Sequence, residues 1–594
     1  MHGYKSTGQD RGRALTSVVW YGFCSHQVGV KTSIAGALLA LSTFSCGSEG
    51  TDSTSDGDVG TGAAPGVGGT VTSTGGMEGS SGGTAGNSGG TTGDSGGSAG
   101  NAGGAAGNSG GAAGNSGGTD GAGGATVGAG GETAGAGGSI PIDQPDLVTS
   151  GVGAYFQEGA LTEVTSTANV TVDTGTRHQT WHGFGGTFNE AGWDALMTLD
   201  PNERTRALQL LFDISTGAGF DWGRIPIGSS DYALSRYSLA ETPDDLTMSN
   251  FSIARDHEAL IPYIQAALGA RSDIRFWASP WSPPAWMKDS GQIDGTDEYD
   301  GRAATFESSM LSDPAILTAY ALYFKRFVEE YATEGILIDH VQPQNEPGYI
   351  TRYPSCRWAP GLLGTFVADY LGPALEPLGT DIWFGTLSNA DTYSGHIGGL
   401  TGAAANYTTG VGLQWNTIGN IGALSNDGYL VMQTEHKCGN YPWNPAGFPA
   451  FNPNQPPNDH AYGVESWGLI KEWIEAGAHI YSAWNMVLDT QGHNLDTDRP
   501  WPQNALLVVD RGAQTLTETA AYYVFRHLSQ FVDVGATRVG VSGGDALAFE
   551  NPDGSLVAVL HNSGGSVADT TVAIGGTTVQ ISVPAQGWAT VNIQ

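Results

Sequence analysis

The strongest constraint on what this chain can fold into is a rhythm. Between residues 179 and 489, short apolar runs rich in Val, Ile, Phe and Trp recur eight times: QTWHGFGG, WGRIPIG, IRFWASP, HVQPQNEP, DIWFGTL, GVGLQWN, YLVMQTE and HIYSAWNMVLD. Runs of this kind read as strands buried on both faces. The longer stretches between them carry helix signals. Asp313 followed by Pro314 is an N-cap with proline in the first turn, after which Ile316, Leu317, Tyr320, Phe324, Phe327, Val328 and Tyr331 recur at helical spacing. Eight β/α repeats over roughly 330 residues predict the α/β class and a (β/α)8 TIM barrel over residues 181–513. A doubly wound open sheet alternates similarly, but no Gly-rich phosphate loop follows any of the runs.

On both sides of the barrel the texture is different. ALAFENPDGSLVAVLHN reads as two strands around an Asp-Gly turn, TTVQISVPAQGWATVNI continues in that style, and GALTEVTSTANVTVDTG resembles them from before the barrel. Residues 147–180 and 514–594 are therefore expected to pair into one attached β-sandwich. Residues 47–140 are almost wholly Gly, Ala, Ser, Thr, Asn and Asp, with AGNSGG recurring at Ala85, Ala106 and Ala113. That composition lacks the large apolar groups that offset ordering entropy, so a disordered tether is expected. Residues 1–46 end in KTSIAGALLALSTFSC, a lysine before an apolar run too short to span a bilayer, which is the layout of an export signal. Cys46 falls where a lipoprotein signal is cut, so a lipidated Cys46 anchoring an exported, cell-surface protein is one expectation and plain secretion the other.

The formal charge of −35 argues against nucleic acid and anionic membrane surfaces as partners, and leaves neutral substrates open. Sixteen tryptophans, nearly all after residue 180, suit either core packing or stacking on the apolar faces of sugar rings. Two cysteines remain beyond the export region, Cys356 and Cys438, without zinc spacing. In an oxidising compartment they can form a disulfide joining two loops at the active-site face; the alternative is two unpaired thiols.

Polar residues collect at the C-terminal ends of the strand runs, where barrel enzymes gather their sites: Arg224, Asn345, Glu346, Gln433, Glu435, Trp484 and Asn485. Glu346 of QNEP and Glu435 of TEH, 89 residues apart, end the fourth and seventh runs and so face each other across the barrel mouth. Paired carboxylates are what glycoside hydrolysis requires, one to protonate the leaving oxygen and one to attack the anomeric carbon or activate water. Glu346, beside Asn345 and under Pro347, is suited to a raised pKa and to the acid role. Other chemistries lack support. GNSGG at residues 107–111 satisfies a nucleophile-elbow pattern inside the tether, and no histidine pair has zinc-protease spacing. His182 reads as structural.

These residues resemble glycoside hydrolase family 30, most closely its glucosylceramidase-like branch. The resemblance rests on RIPIGSSDYALSRYSLAETPDDLTMSNF, WASPWSPPAWMKDSG, QNEP, TEHKCGN, WNMVLDTQGHN and YYVFRHLSQFVDVGATRVG, and covers roughly residues 165–594. It implies a retaining O-glycoside hydrolase acting on a β-linked glycan or glycoside, with Glu346 as acid/base and Glu435 as nucleophile. It further implies a sugar site lined by Arg224, Asp231, Trp281, Asn345, Trp484 and Asn494. No metal or cofactor is implied. Two departures border that site. Where the family often carries His-Trp-Tyr on the sixth strand this chain has Gln414-Trp415-Asn416, which makes Asn416 a further expected sugar ligand, and GGPN is replaced by QGHN. Substrate choice is therefore open among glucosylceramide or β-glucosides, β-1,6-glucan, xylan, and β-xylosides or β-fucosides. A surface carbohydrate-binding protein without activity is the alternative from another class.

Overall fold

The computed structural model describes residues 144–295, 308–388, 395–437, 456–496 and 503–594. The export segment with Cys46, the tether and Cys438 lie outside them. Each of the eight apolar runs supplies one strand of a closed parallel barrel: β1 Phe184–Thr187, β2 Trp222–Pro226, β3 Arg275–Ser279, β4 Ile338–Val341, β5 Asp381–Leu387, β6 Thr408–Leu413, β7 Leu430–Gln433 and β8 Ile480–Asn485. β8 returns to pair with β1, Tyr481 opposite Phe184, which closes the ring.

The helices form where the sequence signals them. Pro314–Thr333 starts at Asp313, whose side chain accepts from the Ala315 amide at 2.7 Å, and it buries Leu317, Tyr320, Phe324, Phe327, Val328 and Tyr331 against the barrel. Asp459 caps His460–Ala476 in the same way, and Gly477 ends that helix with φ +107°, a conformation that favours glycine. Among the described residues no helix is long and apolar enough to cross a membrane.

Both ends of the described region enter one ten-stranded sheet. Leu147–Gly151 pairs antiparallel with Gly587–Ile593, and Val170–Thr180 lies between Thr537–Ser542 and Ala568–Ile574. Val148, Trp181, Phe549 and Trp588 join the barrel core, while Leu147, Val170, Val539, Ala558, Val572, Ile581 and Val591 pack into a separate apolar layer. That layer draws on strands from both halves of the sheet, as in a sandwich. The ENPDGS turn joins Asp545–Glu550 to Leu556–Asn562, with Glu550 opposite Leu556. The boundary expected at residue 514 falls elsewhere. Thr515–Glu518 pairs with Leu507–Asp510 in a small three-stranded sheet. Ala520–Ser529 is then a helix with eight buried residues, so the C-terminal share of the large sheet begins at Thr537.

Tryptophan marks two levels inside the barrel. Trp222, Trp277, Trp383, Met432 and Ile480 form one cluster, where the His340 ring stacks on Trp383 at 4.4 Å and on Trp277 at 5.8 Å. Towards the strand C-termini, Trp281 and Trp484 stack on each other at 5.3 Å in a second cluster with Tyr232 and Tyr353.

Candidate active site

Arg224 organises the barrel mouth. It is the third residue of β2 and is fully buried. Its guanidinium lies 4.2 Å from the Trp281 ring centroid, 4.8 Å from Trp277 and 5.4 Å from Trp484. A guanidinium cannot shed its charge as a buried amine can, so it needs acceptors. Nη1 donates to Glu435 Oε2 at 2.9 Å, Nη2 to Asn345 Oδ1 at 2.7 Å, and Nε and Nη2 to Ser279 Oγ at 3.2 and 3.0 Å. Asn345 Oδ1 also accepts from the Thr386 hydroxyl at 2.9 Å. With its oxygen doubly engaged, the Asn345 amide is fixed with its nitrogen left to donate.

Glu346, half-buried, follows in the left-handed region at φ +47°, a strained setting for a non-glycine residue. Its amide donates to the Thr386 carbonyl at 3.0 Å, which seats the turn on β5. Burial, then the charge of Glu435, push its carboxyl up to about 8, against the weaker opposing pull of Ser388, Gln414 and Arg224. Burial raises Glu435 as well, but Arg224 in direct contact pulls it back. Of the two carboxyls, Glu346 has no cation bonded to it and so keeps the proton, while Glu435 stays ionised on Arg224. Asp231, in the turn after β2, is a third buried carboxyl here. Burial and the charges of Glu435 and Glu346 hold its proton affinity well above the usual range, and Oδ1 has no partner. A buried polar atom left unpaired beside two carboxyls marks where a polar ligand completes the site.

Arg224, Asp231, Trp281, Asn345, Glu346, Glu435 and Trp484 thus come together. One other expected sugar ligand, Asn416, stands apart, and Asn494 borders the site through its neighbour. Asn416 is exposed on the helical turn after β6, behind a Trp415 at φ +56°, whereas Gln414 is buried and its side-chain oxygen accepts from the Thr434 hydroxyl at 2.9 Å. Asn494 turns its side-chain oxygen back onto the Asp496 amide at 2.9 Å, while its neighbour Leu495 donates to the Asp231 carbonyl at 2.8 Å. Of the other strand-end residues, Asn485 bridges Asn189 and Gln503, and Gln433 accepts from the Ser482 amide at 3.2 Å, so both are structural. Cys356 is a free, fully buried thiol; its expected partner lies outside the described residues. Ser279, Thr386, Ser388 and Tyr353 were not singled out from the sequence. A Ser two positions beyond an inward Trp of an apolar run, as in Trp277–Ser279, is the signal that marks the first of them.

A parallel eight-stranded barrel with two electrostatically opposed glutamates at its C-terminal mouth defines a glycoside hydrolase. The sequence matches the glycosyl hydrolase family 30 TIM-barrel domain over residues 181–390 and the glycosyl hydrolase family 30 beta sandwich domain over residues 535–591. The barrel and the sandwich thus each match a domain of this family. It is 26% identical over 461 residues to putative glucosylceramidase 1 of Caenorhabditis elegans, covering 71% of this chain and 82% of that one. It is also 26% identical over 419 residues to an endo-1,6-beta-D-glucanase of Neurospora crassa, covering 67% and 81%. Among solved structures, SrfJ from Salmonella typhimurium shares the fold with a TM-score of 0.65 at 20% identity, covering 75% of this chain and 99% of that one. The protein is an O-glycoside hydrolase whose substrate is a β-glycan or β-glycoside.

Proposed function

We propose that this enzyme cleaves β-glucosidic bonds with net retention, by double displacement. The observation that carries the reading is the asymmetry of the two glutamates, one ionised against buried Arg224 and one holding a proton near neutrality. In the first step Glu435 attacks the anomeric carbon while Glu346 delivers its proton to the departing oxygen; in the second, Glu346 takes a proton from water, which displaces Glu435. Asn345 donates to the sugar hydroxyl next to the anomeric carbon, and Trp281 and Trp484 supply apolar surface for the ring. Proton NMR of the first-formed sugar tests this: the β-anomer is expected, and the α-anomer would overturn it.

The substrate is a terminal β-glucoside of the glucosylceramide type. A second reading, internal cleavage of β-1,6-glucan, is favoured by the similarity to the Neurospora enzyme. A panel of aryl β-glucoside, β-xyloside and β-fucoside with β-1,6-glucan and xylan separates them by sugar preference and product length. We further propose that the protein is exported and held at the cell surface through Cys46, which Cys46→Ala tests by releasing it from the membrane fraction.

A further inference from the structure

Lys288 is 3% exposed, yet its ammonium meets oxygens of the backbone rather than a carboxylate. Nζ donates to the Ser355 carbonyl at 2.6 Å, the Ile293 carbonyl at 2.7 Å and the Ser282 hydroxyl at 3.0 Å, with the Asp294 carbonyl at 3.5 Å. A cation caged by carbonyls is how proteins hold small metal ions. Here the cage is assembled from two loops, residues 280–295 after β3 and residues 342–358 after β4. Gly295 donates to Thr351 at 2.7 Å and Ser355 to Ile293 at 3.3 Å alongside it.

Both loops carry walls of the active site. Ser282 directly follows Trp281, which lies over Arg224. Tyr353, two residues before Ser355, packs with Trp281, Trp484 and Tyr232. Burial, then the charges of Tyr349, Glu346, Asp231 and Glu435, push the Tyr353 hydroxyl well up, which places it beside the carboxyl cluster. Trp358 closes the same loop onto the acid: its amide donates to Pro347 at 2.7 Å and its indole to Gln344 at 3.2 Å. Without the ammonium, buried carbonyls of both loops would lose their donor, a cost borne where the walls meet.

We propose that Lys288 is a positioning residue for glycoside cleavage, an internal cation that locks the β3 and β4 loops together and so sets Trp281 and Tyr353 relative to Glu346. This rests on Glu346 and Glu435 being the reacting pair. Burial lowers the proton affinity of Lys288 to about 8. The groups facing it do little to hold the charge: the Cys356 thiol is pushed up to about 12 and is neutral, Asp294 is taken by Arg236 at 2.5 Å, and Asp289 acts from a distance. A neutral amine has two hydrogens for an ammonium's three, so deprotonation opens the cage.

The test uses the full chain, Lys288→Met and Lys288→Ala, and two aryl β-glucosides, one with a phenol leaving group and one with dinitrophenol, which departs without an acid. Lys288→Met is expected to lower kcat/KM by about 10²-fold on both substrates, the scale of a misplacement near 1 Å. Glu346→Gln, by contrast, lowers kcat/KM far more on the phenyl glucoside than on the dinitrophenyl one. Methylammonium should restore Lys288→Ala, and tetramethylammonium, too large for the cage, should not. Hydrogen exchange of residues 282–295 and 350–358 should quicken in the variants. Wild-type kcat/KM on both glucosides, or unchanged exchange in these loops, overturns the proposal. If the variants do not fold, the wild type decides: loss of dinitrophenyl glucosidase activity above pH about 8 at constant circular dichroism supports it, and a flat profile overturns it. Faster exchange in an enzyme that releases no product from either glucoside would keep the loop lock and remove the glycosidase reading.

Discussion

The two levels of the barrel interior use the same materials to opposite ends. In the lower one, a nitrogen base, His340, lies between Trp277 and Trp383; in the upper one, Arg224 lies against Trp277, Trp281 and Trp484. Trp277 touches both. Burial lowers the proton affinity of His340, so the lower level sheds its charge and becomes an inert plug, even with Nε2 left unpaired. Arg224 cannot follow, because a guanidinium stays protonated. The charge trapped there keeps Glu435 ionised, and that anion in turn keeps the proton on Glu346. A residue that cannot neutralise itself leaves one end of a packed barrel with an ionised carboxyl beside a protonated one.

Removing the anion at Glu435 should erase the difference between the two levels most severely. Glu435→Gln leaves an acceptor oxygen for Arg224 and should fold, but turnover should fall by about 10⁴ to 10⁶-fold. Steady-state kinetics beside a thermal melt checks this, and activity near wild type would dissolve the distinction between the two levels. Next comes the proton. Glu346→Gln should cost about 10² to 10⁴-fold on substrates whose leaving group needs an acid, and far less on dinitrophenyl glucosides. It should also change stability. The free carboxyl ionises near 4.5 in the unfolded chain and near 8 in the folded one, so the folded state holds the extra proton between those values and wild-type stability falls as pH rises through that window. Because the carboxyl edge reaches the cleft, the slope is below about 1.4 kcal/mol per pH unit. Glu346→Gln removes it, so its melting temperature should overtake wild type towards pH 8.

How much of this was legible in the sequence follows the same division. All eight strands could be read because buried parallel strands need continuous apolar runs, and the two glutamates because they interrupt such runs at a strand end. The sheet boundary was misplaced because Thr515–Glu518 has genuine strand composition; which sheet it joins is decided by its partner Leu507–Asp510. Asn416 was expected in the site by alignment with a family pattern, but the helical turn that begins at Trp415 swings it outward, and no local signal announces that turn. Nor could composition divide the tryptophans: Trp277 and Trp281 differ by four residues and occupy different clusters.

Arg224→Lys sharpens the comparison without destroying it. A lysine keeps the charge beside Glu435 but loses the fork that also binds Asn345 and Ser279. Activity should drop by about 10²-fold, the scale of a misplaced site, with the alkaline limb of the pH profile retained because the anion is still compensated. A variant that loses the alkaline limb instead would mean that the fork, rather than the charge, keeps the proton on Glu346.

The smallest effect on catalysis is the most discriminating. Trp383→Phe and Trp281→Phe make the same truncation at the two levels. In the plug, the smaller ring leaves a void against His340, which should cost about 1–3 kcal/mol of stability and leave kcat within about twofold. At the mouth, Trp281→Phe removes part of the surface facing Arg224, and on the proposed reading should cost about tenfold in kcat/KM, or about 1.4 kcal/mol of transition-state binding, with a smaller change in melting temperature. Measured together, the pair should cross, one losing stability and the other rate. Parallel losses in both would show that the barrel responds as a single packed unit, and that the charge held at Arg224 does not separate its two levels.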